Sequence, residues 1–371
     1  MTNKDPKAPF RYGTPVGDKS GIELRATGVL AGLGAKVPLV AAPMAGGPST
    51  PSLVTAAASI GAFGFLAAGY KSVDTLSQQL AETRAATELF GVNLFAPNPV
   101  PVHSQAFIDY AKALADTASR YGVDLSAARP LEDDDDFEAK IDLLEADPVP
   151  VVSFTFGLPR AETVQRLQRS GSTVFQTVTT PDEAARAQAL GVDGLIVQSY
   201  RAGGHSGTLA PQTPVQEIPL TELVAGIGYM VHLPLWAAGG LSTHNGIREV
   251  LTSGAEAVAV GTVLLRSPES GASETYKDAL ADPSRTETVL TRAFSGRPAR
   301  ALRNEFVTRF HPLAPAGYPA LHHLTSPLRK AAAAAGDAEG INIWAGTGYR
   351  DATTEPAATI LRRLAANNTT P

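Results

Sequence analysis

The 371-residue chain has no cysteine. Disulfide staples, zinc–thiolate sites, iron–sulfur clusters and thiol nucleophiles are therefore excluded together. Positive charge is also in short supply, with 31 Lys and Arg against 36 Asp and Glu, a formal net charge of −5 and no sustained basic stretch. That balance argues against nucleic acid or an anionic membrane as a partner. Long apolar runs are missing too: none approaches the roughly 20 residues that span a bilayer, and Met1-Thr-Asn-Lys-Asp-Pro-Lys7 lacks the apolar core of a signal peptide. A soluble cytoplasmic protein is the expectation. No Gly-x-Gly-x-x-Gly follows the first candidate strand, so a Rossmann dinucleotide site has no support. No internal repeat is stronger than the strand–helix beat described next, and the sequence carries no signal for oligomeric state.

What is present is a globular composition, 44% apolar, with a regular alternation of buried strands and amphipathic stretches. Candidate strands fall at 37–42, 62–67, 90–95, 150–155, 173–177, 194–198, 235–238 and 257–260. Helix-like stretches separate them at 49–58, 73–86, 160–170, 181–190, 221–230 and 244–253. Eight such units over about 250 residues are what a closed (β/α)8 TIM barrel requires, so the fold class is α/β of that type. The beat breaks between 97 and 148, where helical stretches at 104–121 and 137–146 flank the acidic run Glu132-Asp-Asp-Asp-Asp136. This segment is too long for an ordinary connection and reads as an inserted helical piece. The run itself reads as a solvated loop or the electronegative start of a helix. Consecutive carboxylates repel and no histidine lies nearby in sequence, so no metal ligand set is assigned. The first dozen residues read as a loose tail, with order beginning near Glu23; beyond Arg266 the pattern is helical and irregular. The expected division is a barrel from 1–95 and 149–270, with 96–148 and 271–371 as a smaller helical domain or lid.

The stretch Gln198-Ser-Tyr-Arg-Ala-Gly-Gly-His-Ser-Gly-Thr208 follows the sixth strand and gathers glycines, a lone imidazole and hydroxyls where parallel-sheet enzymes carry their chemistry. Taken alone, Gly203-Gly204-His205 is a tight turn with a surface histidine. The seventh strand, however, ends in Trp236-Ala-Ala-Gly-Gly240 and the eighth in Val258-Ala-Val-Gly-Thr262. Backbone N–H groups exposed at those ends, with the Thr262 hydroxyl, would form an anion cradle for a phosphate-bearing cofactor. Asn93 and Gln198 could each present an amide to a ring with both donors and acceptors on its edge, which suits an isoalloxazine better than a nicotinamide. The alternative is that both amides satisfy loop backbone. Pro43-Met-Ala-Gly-Gly47 offers a smooth wall for a flat ring.

Several of these passages, in order and spacing, resemble the nitronate monooxygenase family, formerly called 2-nitropropane dioxygenases. They are Ala41-Ala-Pro-Met-Ala-Gly-Gly47, Gly91-Val-Asn-Leu-Phe95, Ser153-Phe-Thr-Phe-Gly157, Ala202-Gly-Gly-His205, Ala237-Ala-Gly-Gly240, Gly254-Ala-Glu256, Gly261-Thr262 and Phe294-Ser-Gly-Arg-Pro-Ala-Arg300 with Asn304. The resemblance implies an FMN-dependent barrel flavoprotein that converts alkyl nitronates and O2 into a carbonyl compound and nitrite, a detoxification chemistry, with propionate 3-nitronate as the natural substrate. It makes Asn93, Gln198, Gly203, Gly240, Ala259, Val260, Gly261 and Thr262 the FMN contacts and His205 the active-site histidine. His205 would act as a general base toward a neutral nitroalkane, or as an imidazolium or hydrogen-bond donor toward an anion; a nitronate arrives deprotonated, which suits the second role. Arg201 stands where the family often has glutamate; its positive charge near the mouth could favour an anionic substrate or simply face solvent, and solvent exposure is the expectation. Tyr70, Arg297, Tyr318 and Tyr349 could add donors for a substrate carboxylate, although each is expected to be structural. Two other readings stay open: an FMN-dependent NAD(P)H reductase of an enoyl-thioester or quinone, and a non-catalytic flavin or phosphate binder.

Overall fold

Eleven short strands are present among residues 24–366, the residues that the computed structural model describes. They are β1 (Leu39–Ala41), β2 (Phe63–Ala67), β3 (Phe90–Ala96), β4 (Val151–Phe156), β5 (Thr173–Val178), β6 (Gly194–Gln198), β7 (Gly204–His205), β8 (Leu235–Ala238), β9 (Ala257–Val260), β10 (Thr288–Thr291) and β11 (Ala299–Leu302). Eight of them close a parallel barrel in the order β1-β2-β3-β4-β5-β6-β8-β9, with β9 returning to β1 so that Ala41 lies opposite Val260. This is the (β/α)8 barrel that the alternation implied. The loose tail expected over the first dozen residues, and Glu23, lie outside the described residues.

Strand alternation divides the barrel into two layers of contact. Leu66, Val92, Phe154, Val197 and Val260 join the cluster between barrel and helices, while Phe63, Phe65, Phe175, Ile196 and Trp236 join a separate cluster inside it. The inner aromatics meet at centroid distances of 5.3 Å for Phe63–Phe65 and 4.2 Å for Phe175–Trp236, a packed plug rather than a pore. Further along the same strands the residues become small or polar, as at Asn93, Thr155, Thr177, Gln198, Ala238 and Ala259, and the barrel opens. The helices that return the chain start on hydroxyl caps: Thr50, Ser72, Thr180 and Thr243 each accept from an N–H three residues on, with Pro51 and Pro181 in the first turn.

The inserted segment serves two cores. Its helix Ser104–Arg120 packs Phe107, Tyr110 and Leu114 against Phe294, Phe306, Phe310 and Leu321, whereas Phe137–Ala146 turns Phe137, Ile141 and Leu144 onto the barrel. The helix Ala357–Ala365 also packs on the barrel through Ile360, Leu361 and Leu364. Past Arg266 the chain is not helical throughout. β10 and β11 form an antiparallel pair, and β11 then pairs with β7, Ala299 opposite His205 and Arg300 opposite Gly204. Strands of two to four residues, one containing glycine, leave too short an alternation to be read in the sequence.

Candidate active site

The strand ends at the C-terminal mouth of the barrel surround one cavity of about 1390 Å3. Asn93, Gln198, Gly203, His205, Gly240, Ala259, Val260, Gly261 and Thr262 all line it. One wall is nearly bare backbone. Among the described residues, the N–H groups of Gly203, Gly239, Gly240 and Gly261 donate no backbone hydrogen bond. Thr262 Oγ1 accepts from the N–H of Gly346 at 3.0 Å, which leaves its own hydroxyl hydrogen to donate elsewhere. Side chains would not fit here: a Cβ on Gly203 would stand 2.5 Å from the Gly346 nitrogen, and one on Gly240, where φ is +74°, would stand 2.7 Å from Thr347 Oγ1. Amide donors without a backbone partner, grouped along one cavity wall beside a hydroxyl, fit a phosphate group. Val260 contributes main chain alone, because its side chain belongs to the barrel–helix cluster.

The two amides behave differently from each other. Asn93 Nδ2 is used within the barrel, on Ser153 O (3.2 Å), Ser153 Oγ (2.9 Å) and Thr155 Oγ1 (3.0 Å), so Oδ1 is the atom it can offer as an acceptor. Gln198 spends both ends on the following loop: Nε2 donates to His205 O at 3.3 Å and Oε1 accepts from Gly207 N at 2.7 Å. Its position at the cavity wall thus serves the loop that carries His205.

His205 is enclosed by rings, with centroids of Trp344, Phe156 and Tyr318 at 5.2, 5.6 and 5.9 Å. Its Nε2 lies 2.7 Å from Ser295 Oγ, and Nδ1 has no protein partner among the described residues. Burial, with the positive charges of Arg297 and Arg329, lowers its pKa to about 3. The ring is therefore neutral near pH 7, and an imidazolium is not the resting form. Arg297 is fully buried, donates to Ser206 O at 3.3 Å and to Thr208 O, and holds its guanidinium 4.1 Å over the Phe156 ring. Arg329 donates to Thr325 Oγ1 at 3.1 Å, Asn342 Oδ1 at 3.0 Å and His322 O at 3.1 Å. Desolvation lowers both arginines to about 10, which still leaves them charged, and neither has a carboxylate within ion-pair distance among the described residues.

Four non-glycine residues at this mouth adopt the left-handed region, Tyr70 (φ 65°), Asp135 (φ 60°), Asp136 (φ 54°) and Phe156 (φ 83°). Strain of this kind is of order 1–3 kcal/mol per residue and persists where surrounding contacts enforce it. Here the contacts are the site's own. Tyr70 stacks on His322 at 4.0 Å and shares a 3.2 Å hydroxyl contact with Tyr318, and Phe156 packs on Phe95 at 4.4 Å. Burial raises the Tyr70 pKa to about 12 and pushes Tyr318 well up, so both phenols are neutral donors. Arg201 is exposed and does not line the cavity; Tyr349 is buried and donates to Arg285 O at 2.7 Å.

Trp344 and the loop containing Gly346 and Gly348 line the cavity and were not picked out in the sequence, whereas Ser295 and Phe156, which also line it, stood there within quoted motifs without a role of their own. Gly346-Thr-Gly348 carried a local signal, a second glycine pair late in the chain. Among the described residues, no group of three or more His, Asp or Glu is placed to hold a metal ion, and no helix is long and apolar enough to cross a membrane.

A family model described as nitronate monooxygenase matches residues 29–367. A probable nitronate monooxygenase of Staphylococcus aureus strain Newman is 34% identical over 337 residues, which cover 90% of this chain and 94% of that protein. Among solved structures, a nitroalkane oxidase from Streptomyces ansochromogenes is 44% identical at a TM-score of 0.85, covering 91% of this chain and 97% of that one. FabK from Thermotoga maritima, 24% identical with a TM-score of 0.69 over 91% of this chain and 94% of its own, shares the fold.

Proposed function

The chain belongs to the nitronate monooxygenase family, and from that premise we propose that it binds FMN and uses O2 to oxidise alkyl nitronates to a carbonyl compound and nitrite. The observation that carries this reading is the wall of unpartnered glycine amides set in one cavity with a neutral His205. FMN, when bound, supplies the electron acceptor that an electron-rich nitronate requires. Gly203, Gly240, Gly261 and Thr262 would hold its phosphate through N–H and O–H donors, and Asn93 Oδ1 would accept from its ring edge.

The rest of the chemistry falls to the chain's own groups. Arg297 and Arg329 put positive potential around His205 without neutralising carboxylates, which favours an anion in the cavity. Phe156, Tyr318 and Trp344 exclude water beside that anion and strengthen each remaining polar contact. His205 Nδ1 takes one of two roles, set by its tautomer. If Ser295 donates to Nε2, Nδ1 carries hydrogen and binds a nitronate oxygen. If Ser295 instead donates to Arg297 O, 3.4 Å away, Nε2 donates to Ser295 and Nδ1 is a base that can remove the α-proton of a neutral nitroalkane. The cavity-lining parts of 97–136 and 271–348 act in this reading as its cover.

Anaerobic mixing of the flavin-loaded protein with the nitronate of 1-nitropropane tests the proposal. The visible flavin absorbance should bleach and nitrite should appear once oxygen is admitted. Bleaching by NAD(P)H but not by nitronate would instead identify a reductase, and inertness to both would identify a binding protein.

A further inference from the structure

We infer that Glu183 is a positioning residue for His205: through Thr208 and Leu209 it fixes, from the barrel side, the loop on which the imidazole stands. The inference rests on the functional reading above and adds to it a residue that does not line the cavity. Glu183 is buried, and both of its oxygens are committed. Oε2 accepts from the Thr179 N–H at 2.6 Å and the Thr179 hydroxyl at 2.8 Å, while Oε1 accepts from the Thr208 hydroxyl at 2.7 Å and the Leu209 N–H at 2.6 Å. Helix capping explains only half of this. Glu183 lies in the first turn of the helix Pro181–Leu190, where its N–H donates to the Thr180 cap at 3.2 Å, and a capping glutamate would return its side chain to the turn before the helix. One oxygen does so, at Thr179. The other leaves the helix for the stretch three and four residues beyond His205.

That stretch is held between opposite charges. Arg297 donates to Ser206 O at 3.3 Å and to Thr208 O, and Glu183 takes the Thr208 hydroxyl and the Leu209 N–H. Thr208 is therefore gripped twice, its carbonyl by a guanidinium and its hydroxyl by a carboxylate. The other side-chain bonds from the barrel to this stretch are neutral: Gln198 to His205 O at 3.3 Å and Gly207 N at 2.7 Å, and Asn98 to Leu209 O at 3.2 Å. Hydrogen bonds to a charged group are the stronger kind, so Glu183 is the firmest of the ties that join the His205 loop to the barrel. What it fixes is the height of the ring. The 2.7 Å contact between His205 Nε2 and Ser295 Oγ tolerates little movement, and a displacement of about 1 Å at a reacting group costs on the order of a hundredfold in rate.

The test pairs turnover with a direct view of the imidazole. Glu183→Gln sets an amide NH2 against donors whichever way it is turned, and Thr208→Val removes the hydroxyl while keeping the branched shape. Each should slow anaerobic bleaching of the flavin by the nitronate of 1-nitropropane on the order of tenfold. The Kd for FMN should stay within about twofold, because the glycine wall keeps its donors. Thr208→Ser, which retains the hydroxyl, should recover most of the rate, and Glu183→Gln/Thr208→Val should be slower than the slower single variant by no more than about twofold, since both remove one interaction. In the same proteins without substrate, the imidazole nitrogen chemical shifts of His205 should move in Glu183→Gln and Thr208→Val and return in Thr208→Ser. Unmoved shifts, unchanged bleaching in a nitronate-active protein, or equal losses in Thr208→Ser and Thr208→Val would overturn the inference. If Glu183→Gln does not fold, the two Thr208 variants give the answer alone. A wild-type protein that nitronate does not bleach would remove the functional reading, and the His205 shifts would then decide the positioning by themselves.

Discussion

Gly261→Ala separates the cofactor cradle from the fold, because the two respond to a methyl group at this position in opposite ways. Gly261 has φ −124°, outside the left-handed region, so alanine carries no left-handed strain there. Its Cβ would meet Met44 Sδ at 3.3 Å and Ala42 Cβ at 3.5 Å, and a thioether chain with three rotatable bonds gives way by a few tenths of an ångström. The cost to the apoprotein should stay below about 1 kcal/mol. A phosphate approaching the Gly261 N–H has no such freedom, since the neighbouring donors fix its place. Alanine keeps its N–H, so the loss comes from the methyl holding the phosphate off that donor; one hydrogen bond to a charged group is worth roughly 1.5–3 kcal/mol, so the Kd for FMN should rise on the order of tenfold to a hundredfold. Fluorescence titration of the apoprotein with FMN measures the affinity, and thermal unfolding of the same preparation measures the fold. Gly240→Ala is the contrast, since its φ of +74° and the 2.7 Å approach to Thr347 Oγ1 should damage both. An unchanged Kd in a stable Gly261→Ala protein would show that the phosphate does not sit on these amides.

Three further outcomes follow from the same geometry. The His205 pKa of about 3 lies below its ordinary 6.5, so between those values the unfolded chain binds a proton that the native state does not; His205 therefore costs stability as pH falls through that window, and its NMR titration should show no protonation near pH 6.5. An imidazole titrating near 6.5 would remove the argument for a neutral ring. Ser295→Ala should lower kcat by roughly fivefold to tenfold with FMN affinity unchanged, and Ser295→Thr, which restores a hydroxyl to His205 Nε2, should recover most of it; equal losses in both variants would point to packing alone. At Phe156 the usual order of small residues should reverse, because φ of 83° favours glycine: Phe156→Gly should be more stable than Phe156→Ala by about 1 kcal/mol in chemical denaturation, although both lose the ring under Arg297. An alanine variant more stable than the glycine one would mean that the backbone relaxes there at no cost.

The barrel was legible because buried parallel strands are continuous apolar runs, and Phe63-Gly-Phe-Leu-Ala67 or Leu195-Ile-Val197 cannot be mistaken for surface. The glycine wall was legible for a related reason: Gly240 and Gly261 directly follow β8 and β9, and Gly203 stands in the loop after β6, so topology brings them to one rim. What could not be read was convergence without a local pattern. Ser295 reaches His205 across 90 residues, and Tyr318 meets Tyr70 across 248. Gln198 shows the opposite limit. It lines the cavity where a ligand contact was expected, and its amide also bonds loop backbone seven and nine residues on, which leaves one N–H and one oxygen lone pair for a ligand.

The division of labour at His205 follows from this. The imidazole stands on a loop leaving the barrel, and such a loop is held only by what it touches. Gln198 of β6 holds its backbone through His205 O and Gly207 N, and three further contacts come from the stretch 295–299: Ser295 bonds Nε2, Arg297 clamps the carbonyls of Ser206 and Thr208, and Ala299 pairs opposite His205 in the second sheet. The glycine wall, by contrast, comes mainly from β6, β8 and β9 of the barrel. In the proposed reading, cofactor retention and turnover therefore depend on different parts of the chain. The barrel strand ends would hold the phosphate, while the segment around Phe294-Ser-Gly-Arg297 helps to set an uncharged imidazole beside it: burial first, and then the arginine that anchors the loop, keep the ring from taking up a proton.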